Sequence, residues 1–329
     1  MIGVVSVIVV LGSFDGFHKG HQALFEVARD ASDRMDMLWG VMTFVPHPQI
    51  VLGNGSFVPL FTDSERDFIA SFLNIPDFIK IPFSDVKDLN PKDFIEELGS
   101  RYKARGIVVG ENFKFGKHRS GDVEFLKSYL TKKGWFFAAI PPFKIDGSVV
   151  SSSLVRQLVK KGYMQQTEAM LGYPYFIIAP VTEGDHRGRI LGFPTANLPA
   201  SELKLLPPKG VYATAVLAHG KWWSGALNIG YNPTFERGDE IRIEVHLDQF
   251  EGDLYGEMIA VLLLAQIREE KKFESAEGLV AQMKDDVERI REICRPWFYR
   301  REGLLFSLKE CWKSYEYRLK VTNYNRISR

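Results

Sequence analysis

The sequence predicts two domains of different class: an α/β domain with an open parallel sheet, then a mainly β domain built as an antiparallel barrel or sandwich. Three observations carry this. Apolar runs and helical patterns alternate from Val4 to Pro141. From Phe176 to Leu264, short strand-like runs follow one another across Gly, Asn or charged turns, and no long helix intervenes before Ser275–Cys294. The pattern changes after the stretch Leu171-Gly172-Tyr173-Pro174-Tyr175. A chain of 329 residues suffices for two ordinary domains. The expected division is 1–157, a helical linker 158–172, 173–294, and an extension 295–329.

In the first half, Val4–Leu11 and Met37–Phe44 read as buried strands. Pro46-His47-Pro48 ends the second, because proline cannot continue a ladder. Thr62-Asp63-Ser64-Glu65 is a capping-box pattern that opens a helix toward Phe72. Asp77–Ile81 is a short strand, and Pro91 starts a helix through Leu98. Gly106–Gly110, Asp122–Lys132 and Trp135–Pro141 read as strand, helix and strand. Alternation of this kind places helices on both faces of the sheet and ligands beyond the carboxyl ends of its strands.

The first strand delivers Gly12-Ser13-Phe14-Asp15-Gly16-Phe17-His18-Lys19-Gly20-His21, and a helical pattern follows at Ala23, Leu24, Val27 and Ala28. Glycines let backbone N–H groups approach a ligand, and a helix N-terminus favours an anion. His18 and His21 are three apart, so they share a face at the helix start. The pair suits a phosphoryl group; the plainer reading is two histidines capping a helix. His47 as a third metal ligand is disfavoured, since no carboxylate or Cys falls at a familiar ligand spacing. Two further loops share the expected edge. One runs from Gly110 through Asn112 to Asp122 and mixes glycines, cations and an amide. The other is Ser151-Ser152-Ser153, which either caps a helix or binds phosphate, with Arg156 one turn on.

Composition excludes several classes. At 45% hydrophobic and 25% charged the chain is an ordinary globular protein, and a net charge of +1 makes no case for nucleic acid or an anionic membrane. Two cysteines, Cys294 and Cys311, are too few for a disulfide framework and fit a reducing cytoplasm. The apolar N-terminus lacks a basic region and is interrupted by Asp15, and no stretch reaches the length of a membrane span.

In the second half, Gly184, Gly188 and Gly192 recur at four-residue intervals beside Arg187 and Arg189; the stretch suits a phosphate-facing loop without the Walker pattern, and taken alone it reads as an arginine-rich hairpin. Thr195 and Asn197 are two apart, so an extended chain points both the same way, and their oxygens suit Mg²⁺ with nucleotide phosphates. Ile241 to Asp248 alternates strictly, with Arg242, Glu244, His246 and Asp248 on one face. By itself that row reads as a solvated strand face.

The motifs taken together resemble the prokaryotic bifunctional riboflavin kinase/FAD synthetases. The opening string resembles the nucleotidyltransferase signature. Thr43-Phe44-Val45-Pro46-His47-Pro48, Gly110-Glu111-Asn112-Phe113-Lys114-Phe115-Gly116 and Val150-Ser151-Ser152-Ser153-Leu154-Val155-Arg156 resemble three further adenylyltransferase segments in family order. Leu154 stands where many members carry another Arg. Pro194-Thr195-Ala196-Asn197, Asn228-Ile229-Gly230, Pro233-Thr234-Phe235, Glu244-Val245-His246-Leu247, Gly252-Asp253-Leu254-Tyr255-Gly256 and Arg268 to Phe273 resemble the riboflavin kinase domain.

The resemblance implies a Rossmann-like nucleotidyltransferase domain, then a small antiparallel Greek-key barrel with a C-terminal helix. It implies phosphorylation of riboflavin to FMN by MgATP, with Glu244 as general base and Thr195 and Asn197 on Mg²⁺ and nucleotide. Gly184, Gly188, Arg189, Gly192 and Arg268 would border nucleotide and flavin. FMN would then be adenylylated to FAD, with Gly12, Phe14, Asp15, Gly16, His18, Gly20, His21, Asn112, the three serines and Arg156 holding ATP and FMN. An adenylyl- or cytidylyltransferase for another substrate, and a non-catalytic flavin binder, are the alternatives; the second-half motifs and the complete set of site residues argue against them. The partners implied are small molecules, without membrane or nucleic acid. From Arg295 onward nine Lys/Arg face three Asp/Glu, a net +6, and Leu304, Leu305, Leu308, Cys311, Trp312, Tyr315 and Leu319 form one helical face. That face packs on its own barrel or makes a subunit contact.

Overall fold

The computed structural model describes residues 6–53, 57–184, 188, 192–199, 204–232 and 240–327. The chain divides into two compact units, Met1–Leu154 and Val155–Arg329.

In the first unit β1 (Val7–Leu11), β2 (Leu38–Val45), β3 (Phe78–Pro82), β4 (Ala104–Gly110) and β5 (Phe136–Ile140) form a five-stranded sheet in the order β3-β2-β1-β4-β5. Every pairing is parallel. Strand order reverses between β1 and β4, the switch point at which such sheets open a ligand crevice. The expected first strand is shorter as observed, and Val4 and Val5 lie outside the described residues.

Helices lie on both faces. Helix α1 (Lys19–Met35) buries Leu24, Phe25 and Ala28, while α5 (Pro91–Arg101) and α6 (Val123–Lys133) bury Phe94, Ile95, Leu98, Leu126 and Leu130 against Val9, Leu11, Ile107 and Val109. The short α2 (Pro48–Leu52) follows the proline segment and α4 (Phe83–Val86) follows β3. Helix α3 (Asp63–Phe72) carries the predicted capping box: Glu65 N–H donates to Thr62 Oγ1 at 3.2 Å, and Thr62 N–H donates to Glu65 Oε2 at 2.9 Å. A small hairpin, β6 (Lys144–Ile145) and β7 (Ser148–Val149), turns on Asp146-Gly147, both at positive φ. Its signal was that Asp-Gly pair.

Helix α7 (Ser152–Lys160) contains the boundary between the units, and α8 (Met164–Leu171) follows it, so the stretch 158–172 is largely helical and belongs to the second unit. The second unit holds β8 (Tyr175–Pro180), β9 (Thr195–Leu198), β10 (Gly210–Ala218), β11 (Lys221–Asn232), β12 (Glu240–Leu247) and β13 (Met258–Arg268). They form one antiparallel sheet, β8-β13-β10-β11-β12-β9. Strands β10, β11 and β12 are sequential neighbours and β13 returns beside β10, which is Greek-key order. A bridge between Thr182 and Asn197 brings the chain after β8 to β9, so the sheet curls back toward its first strand.

Helix α9 (Ala276–Arg300) is capped by Ser275 and buries Val287, Ile290, Cys294 and Trp297. It was expected to end at Cys294. It runs on through Pro296 because Trp297 continues the apolar stripe at helical spacing. Helix α10 (Glu302–Ile327) buries Leu305, Leu308, Trp312 and Tyr315, with Leu304 and Cys311 half-buried. The side chain of Leu319 is outside the described set. Trp222 Nε1 donates to Leu305 O at 3.1 Å, and Arg301 pairs with Glu168 of α8 at 2.7 Å. The extension is thus tied to its own unit.

Candidate active sites

The first site grows from the β1–α1 turn. Gly12 N–H donates to Met42 O at 3.2 Å, which keeps the ends of β1 and β2 together. Phe14, Gly16 and Phe17 then take φ of 42°, 93° and 40°. Two bulky residues in the left-handed region are costly, and burial of both phenyl rings holds them there. Asp15 is 2% exposed, and its Oδ1 accepts Leu60 N–H at 2.9 Å. Here the motif carboxylate serves the loop and not solvent.

His18 precedes α1 without a side-chain cap, and His21 stacks on it, centroids 3.6 Å apart and planes 19° apart. The plain capping reading therefore fails for His18. The rings of Phe14 and His21 stand near-perpendicular, at 78°, with centroids 5.0 Å apart. Gly20 sits between them for want of room: a Cβ there would lie 3.1 Å from the His18 ring and 3.2 Å from Val150 O. Both Nδ1 atoms are buried without a hydrogen-bond partner among the described residues. His47 is elsewhere engaged, accepting Gln49 N–H at the start of α2 and stacking on Phe57.

Burial pushes the His18 pKa down to about 4. His21 is held well below its ordinary value by burial first, then by His18 and by Arg66. The pair is therefore neutral near neutral pH, and supplies N–H donors without a charge of its own. In the unfolded chain both titrate near 6.5. Below that pH the unfolded state binds more protons, so folding stability falls as pH falls and the loss is complete below the folded pKa. For His18 this amounts to about 3 kcal/mol. The expected result is a loss of thermal stability on acidification from about pH 6.5 to about pH 4, reduced in His18→Asn. An identical acid dependence in that variant would contradict it.

The serine segment reaches the same loop. Ser151 Oγ accepts Leu154 N–H at 3.2 Å, the ordinary cap, while Ser152 Oγ donates to Asp15 O at 3.0 Å. Ser153 is exposed, and Arg156 lies one turn along α7, in the second unit. Asn112 is exposed in the turn after β4, the strand beside β1 at the switch point. Its loop is closed by a Phe115–Gly121 bridge. Arg66 and Thr43 were missed as site residues. Arg66 Nη2 donates to Thr43 Oγ1 at 2.7 Å, and Thr43 Oγ1 donates to Ser13 O at 2.9 Å. The available signal was a cation in helical phase with the apolar Ile69 and Ala70.

The second site is a product of strand register. On adjacent strands Asn197 pairs with Glu244, and Glu244 with Asn228; one step on, Thr195 pairs with His246. Opposed residues share a face, so an amide, a carboxylate and a second amide stand in one row. Ile243, Val245 and Leu247 are buried on the other face, as the alternation requires. The polar row is not simply solvated. It borders a cavity of about 350 Å³ lined by Thr195, Asn228, Glu244 and His246 and by Met283 and Val287 of α9. Arg242 Nη1 lies 3.3 Å from Glu244 Oε1, and His246 Nδ1 is 2.8 Å from Pro194 O.

Gly184 packs directly on Asn197: a Cβ there would fall 2.1 Å from its amide nitrogen. Gly188 approaches Phe193 O equally closely, and Gly192 has φ 82°. Arg189 lies outside the described residues, as do Pro233, Thr234 and Phe235. Arg268 lines the cavity, but its guanidinium is held by Asp286 of α9, with Nε–Oδ2 2.9 Å and Nη2–Oδ2 2.8 Å. It therefore anchors the helical wall. Gly184→Ala is expected to displace Asn197 and lower activity at this site at least tenfold, by roughly the scale that small misplacements cause, with activity at the first site intact. Equal turnover in mutant and parent would dismiss the close contact as unimportant.

Two family models match, FAD synthetase over residues 5–154 and riboflavin kinase over residues 171–294. A bifunctional riboflavin kinase/FMN adenylyltransferase from Bacillus subtilis is 33% identical over 290 residues, covering 86% of this chain and 92% of the relative. One of the same description from Escherichia coli is 33% identical over 290 residues, covering 87% and 92%. A solved structure described as a macrolide-efflux protein from Streptococcus pneumoniae superposes with a TM-score of 0.81 at 32% identity, covering 88% of this chain and 95% of that one. Among the described residues of this chain, no helix is long and apolar enough to cross a membrane.

A nucleotide-binding parallel sheet joined to a flavokinase barrel defines a two-domain transferase of flavin cofactor synthesis. The relatives span both halves. The chain belongs to the bifunctional riboflavin kinase/FMN adenylyltransferase family. It phosphorylates riboflavin to FMN with ATP, then adenylylates FMN to FAD with release of pyrophosphate.

Proposed function

We propose that the two reactions divide between the two sites, adenylyl transfer at the histidine pair and phosphoryl transfer at Glu244. The observation that carries this division is the register Asn197–Glu244–Asn228, which sets a carboxylate between two amides beside an apolar-walled cavity.

In the kinase site Glu244 accepts the proton of the riboflavin 5′-hydroxyl as that oxygen attacks the γ-phosphorus of ATP. A base for this step must stand within hydrogen-bond reach of the hydroxyl. Leu279, Met283 and Val287 give the flavin ring an apolar wall. The donor set fits Mg²⁺: a threonine hydroxyl and an asparagine amide oxygen on one strand, with Glu244 opposite, are hard oxygen ligands. Thr195 and Asn197 would hold the ion, and its bound charge would offset that of the phosphates.

In the adenylyltransferase site the FMN phosphate is the nucleophile and attacks the α-phosphorus of ATP, so no protein nucleophile is required. His18 and His21 donate hydrogen bonds to the α-phosphate and the departing pyrophosphate, where negative charge builds in the transition state. Their unpartnered Nδ1 atoms and neutral rings support this role. Ser152 docks the serine segment on the motif, and Asn112, Ser151 and Ser153 complete the nucleotide site we assign within the first unit. The cytoplasm is the compartment we assign, from a cysteine count of two, too few for a disulfide framework, and the chemistry of the substrates. The test is chromatography of flavins formed from riboflavin with MgATP and, separately, from FMN with MgATP, in the parent and in variants of each site. Loss of both activities in every folded variant would refute the division.

A further inference from the structure

In the first unit three side chains each bury a polar atom that meets no hydrogen-bond partner among the described residues: His18 Nδ1, His21 Nδ1 and Arg66 Nε. The first two belong to the opening motif. The third comes from α3 and is 4% exposed. Nη1 of Arg66 donates to Asp63 Oδ1 at 3.1 Å, and Nη2 donates to Thr43 Oγ1 at 2.7 Å and to Ser13 O at 3.4 Å. One guanidinium therefore ties α3 to the carboxyl ends of both β1 and β2. Ser13 directly precedes the positive-φ run at Phe14, Gly16 and Phe17, so this clamp sits at the entry to the most constrained part of the loop. A buried cation is costly to desolvate, and one with Nε uncommitted is not fully satisfied by the resting fold.

We propose that Arg66 is a positioning residue for adenylyl transfer, holding to the end of β2 the β1–α1 loop that leads into His18 and His21. The inference rests on the assignment of that reaction to the histidine pair. The charged and titratable groups that act on His21 are His18, stacked on it, and Arg66. The Asp15 carboxylate on the same loop is turned to Leu60 N–H, and Phe14, which packs near-perpendicular to His21, carries no charge. Burial holds His21 neutral first, with His18 and then the Arg66 cation adding to it, and the field of the guanidinium favours entry of a polyphosphate. Arginine is required because a planar fork meets three oxygens at once, which a lysine ammonium on a flexible stem does not reproduce.

The test uses Arg66→Met and Arg66→Lys in the full-length protein, with His21→Ala alongside. FAD formation from FMN and MgATP is followed across a pH series. The His21 ring is titrated by NMR. Riboflavin phosphorylation by the same preparations reports folding. Arg66→Met is expected to lower kcat for adenylylation about 100-fold, the scale of a misplaced catalytic group. The His21 midpoint should move up in part, since burial and His18 still hold it low, and the pH dependence of kcat/KM should follow it. Arg66→Lys is expected to keep the low His21 midpoint yet lose most of kcat, because it retains the charge and not the clamp. Unchanged kcat in either folded variant overturns the proposal. So does lost kcat in Arg66→Met with no movement of the His21 titration, which marks a merely structural role. Full adenylylation in His21→Ala would overturn the underlying assignment instead. An inactive His21→Ala beside a fully active Arg66→Met defeats this inference alone.

Discussion

Glu244→Gln is expected to abolish FMN formation from riboflavin while FAD formation from FMN continues at the parent rate. Glutamine keeps the size and one acceptor oxygen of the side chain, so the row Asn197–Glu244–Asn228 and the contact with Arg242 survive in outline. What is lost is the capacity to take a proton. Removal of a general base costs typically 10²- to 10⁴-fold in rate, and the upper end is expected because positioning cannot replace acceptance of the proton that the hydroxyl nucleophile gives up. The adenylyltransferase reaction needs no such base, since an FMN phosphate already carries negative charge at neutral pH. Separate assays with riboflavin and with FMN check both halves. Comparable riboflavin phosphorylation in Glu244→Gln would remove Glu244 from the reaction.

His21→Ala should give the reverse pattern, FMN accumulating from riboflavin with no FAD. A single donor aimed at developing charge is worth about 10²- to 10³-fold in kcat. His21 has little to do in the resting protein: it stacks on His18, packs near-perpendicular to Phe14, and leaves Nδ1 buried without a hydrogen-bond partner among the described residues. Such a group lowers stability until something accepts its hydrogen bond. The alanine variant is therefore expected to melt no lower than the parent at about pH 5, where the parent bears the cost of keeping the imidazole neutral. A steep loss of FAD synthesis with unchanged or raised thermal stability is the combined signature. Loss of both FAD synthesis and folding would mean the ring is structural.

The two sites differ in how much of each was legible. The first is contiguous: strand, ten-residue loop and helix start together carry the histidines, the buried Asp15 and the glycines. Local rules sufficed, because neighbouring residues in a tight turn have few ways to point. Thr195 and Asn197 were readable as a same-face pair for the same reason, and β9 is extended as that reading requires. Glu244 was one of four polar residues on an alternating strand, and nothing local separated it from Arg242, His246 or Asp248. Register did so, by setting it opposite Asn197 and Asn228. A slip of one residue would have turned it to the buried face.

Arg66 shows the limit more sharply. Its sequence context is a helix start with a good capping box, and that is what it reads as. Only the packing of α3 against the ends of β1 and β2 makes it a clamp on the motif. The extension was likewise half legible. The stripe Leu305, Leu308, Trp312 and Tyr315 announced a buried face, and the tertiary structure supplied its ties to Trp222 and Glu168.

By itself, then, the sequence determined the two domain classes, the individual elements and the contiguous motifs, since these rest on periodicity, capping and turn chemistry over a few residues. The tertiary structure alone decided the Greek-key return of β13, the carboxylate–amide row, the bond between Arg268 and Asp286, and the place of Arg66. Each of these joins residues distant in sequence, and their pairing is chosen by burial and hydrogen-bond satisfaction across the whole fold, which no local pattern encodes.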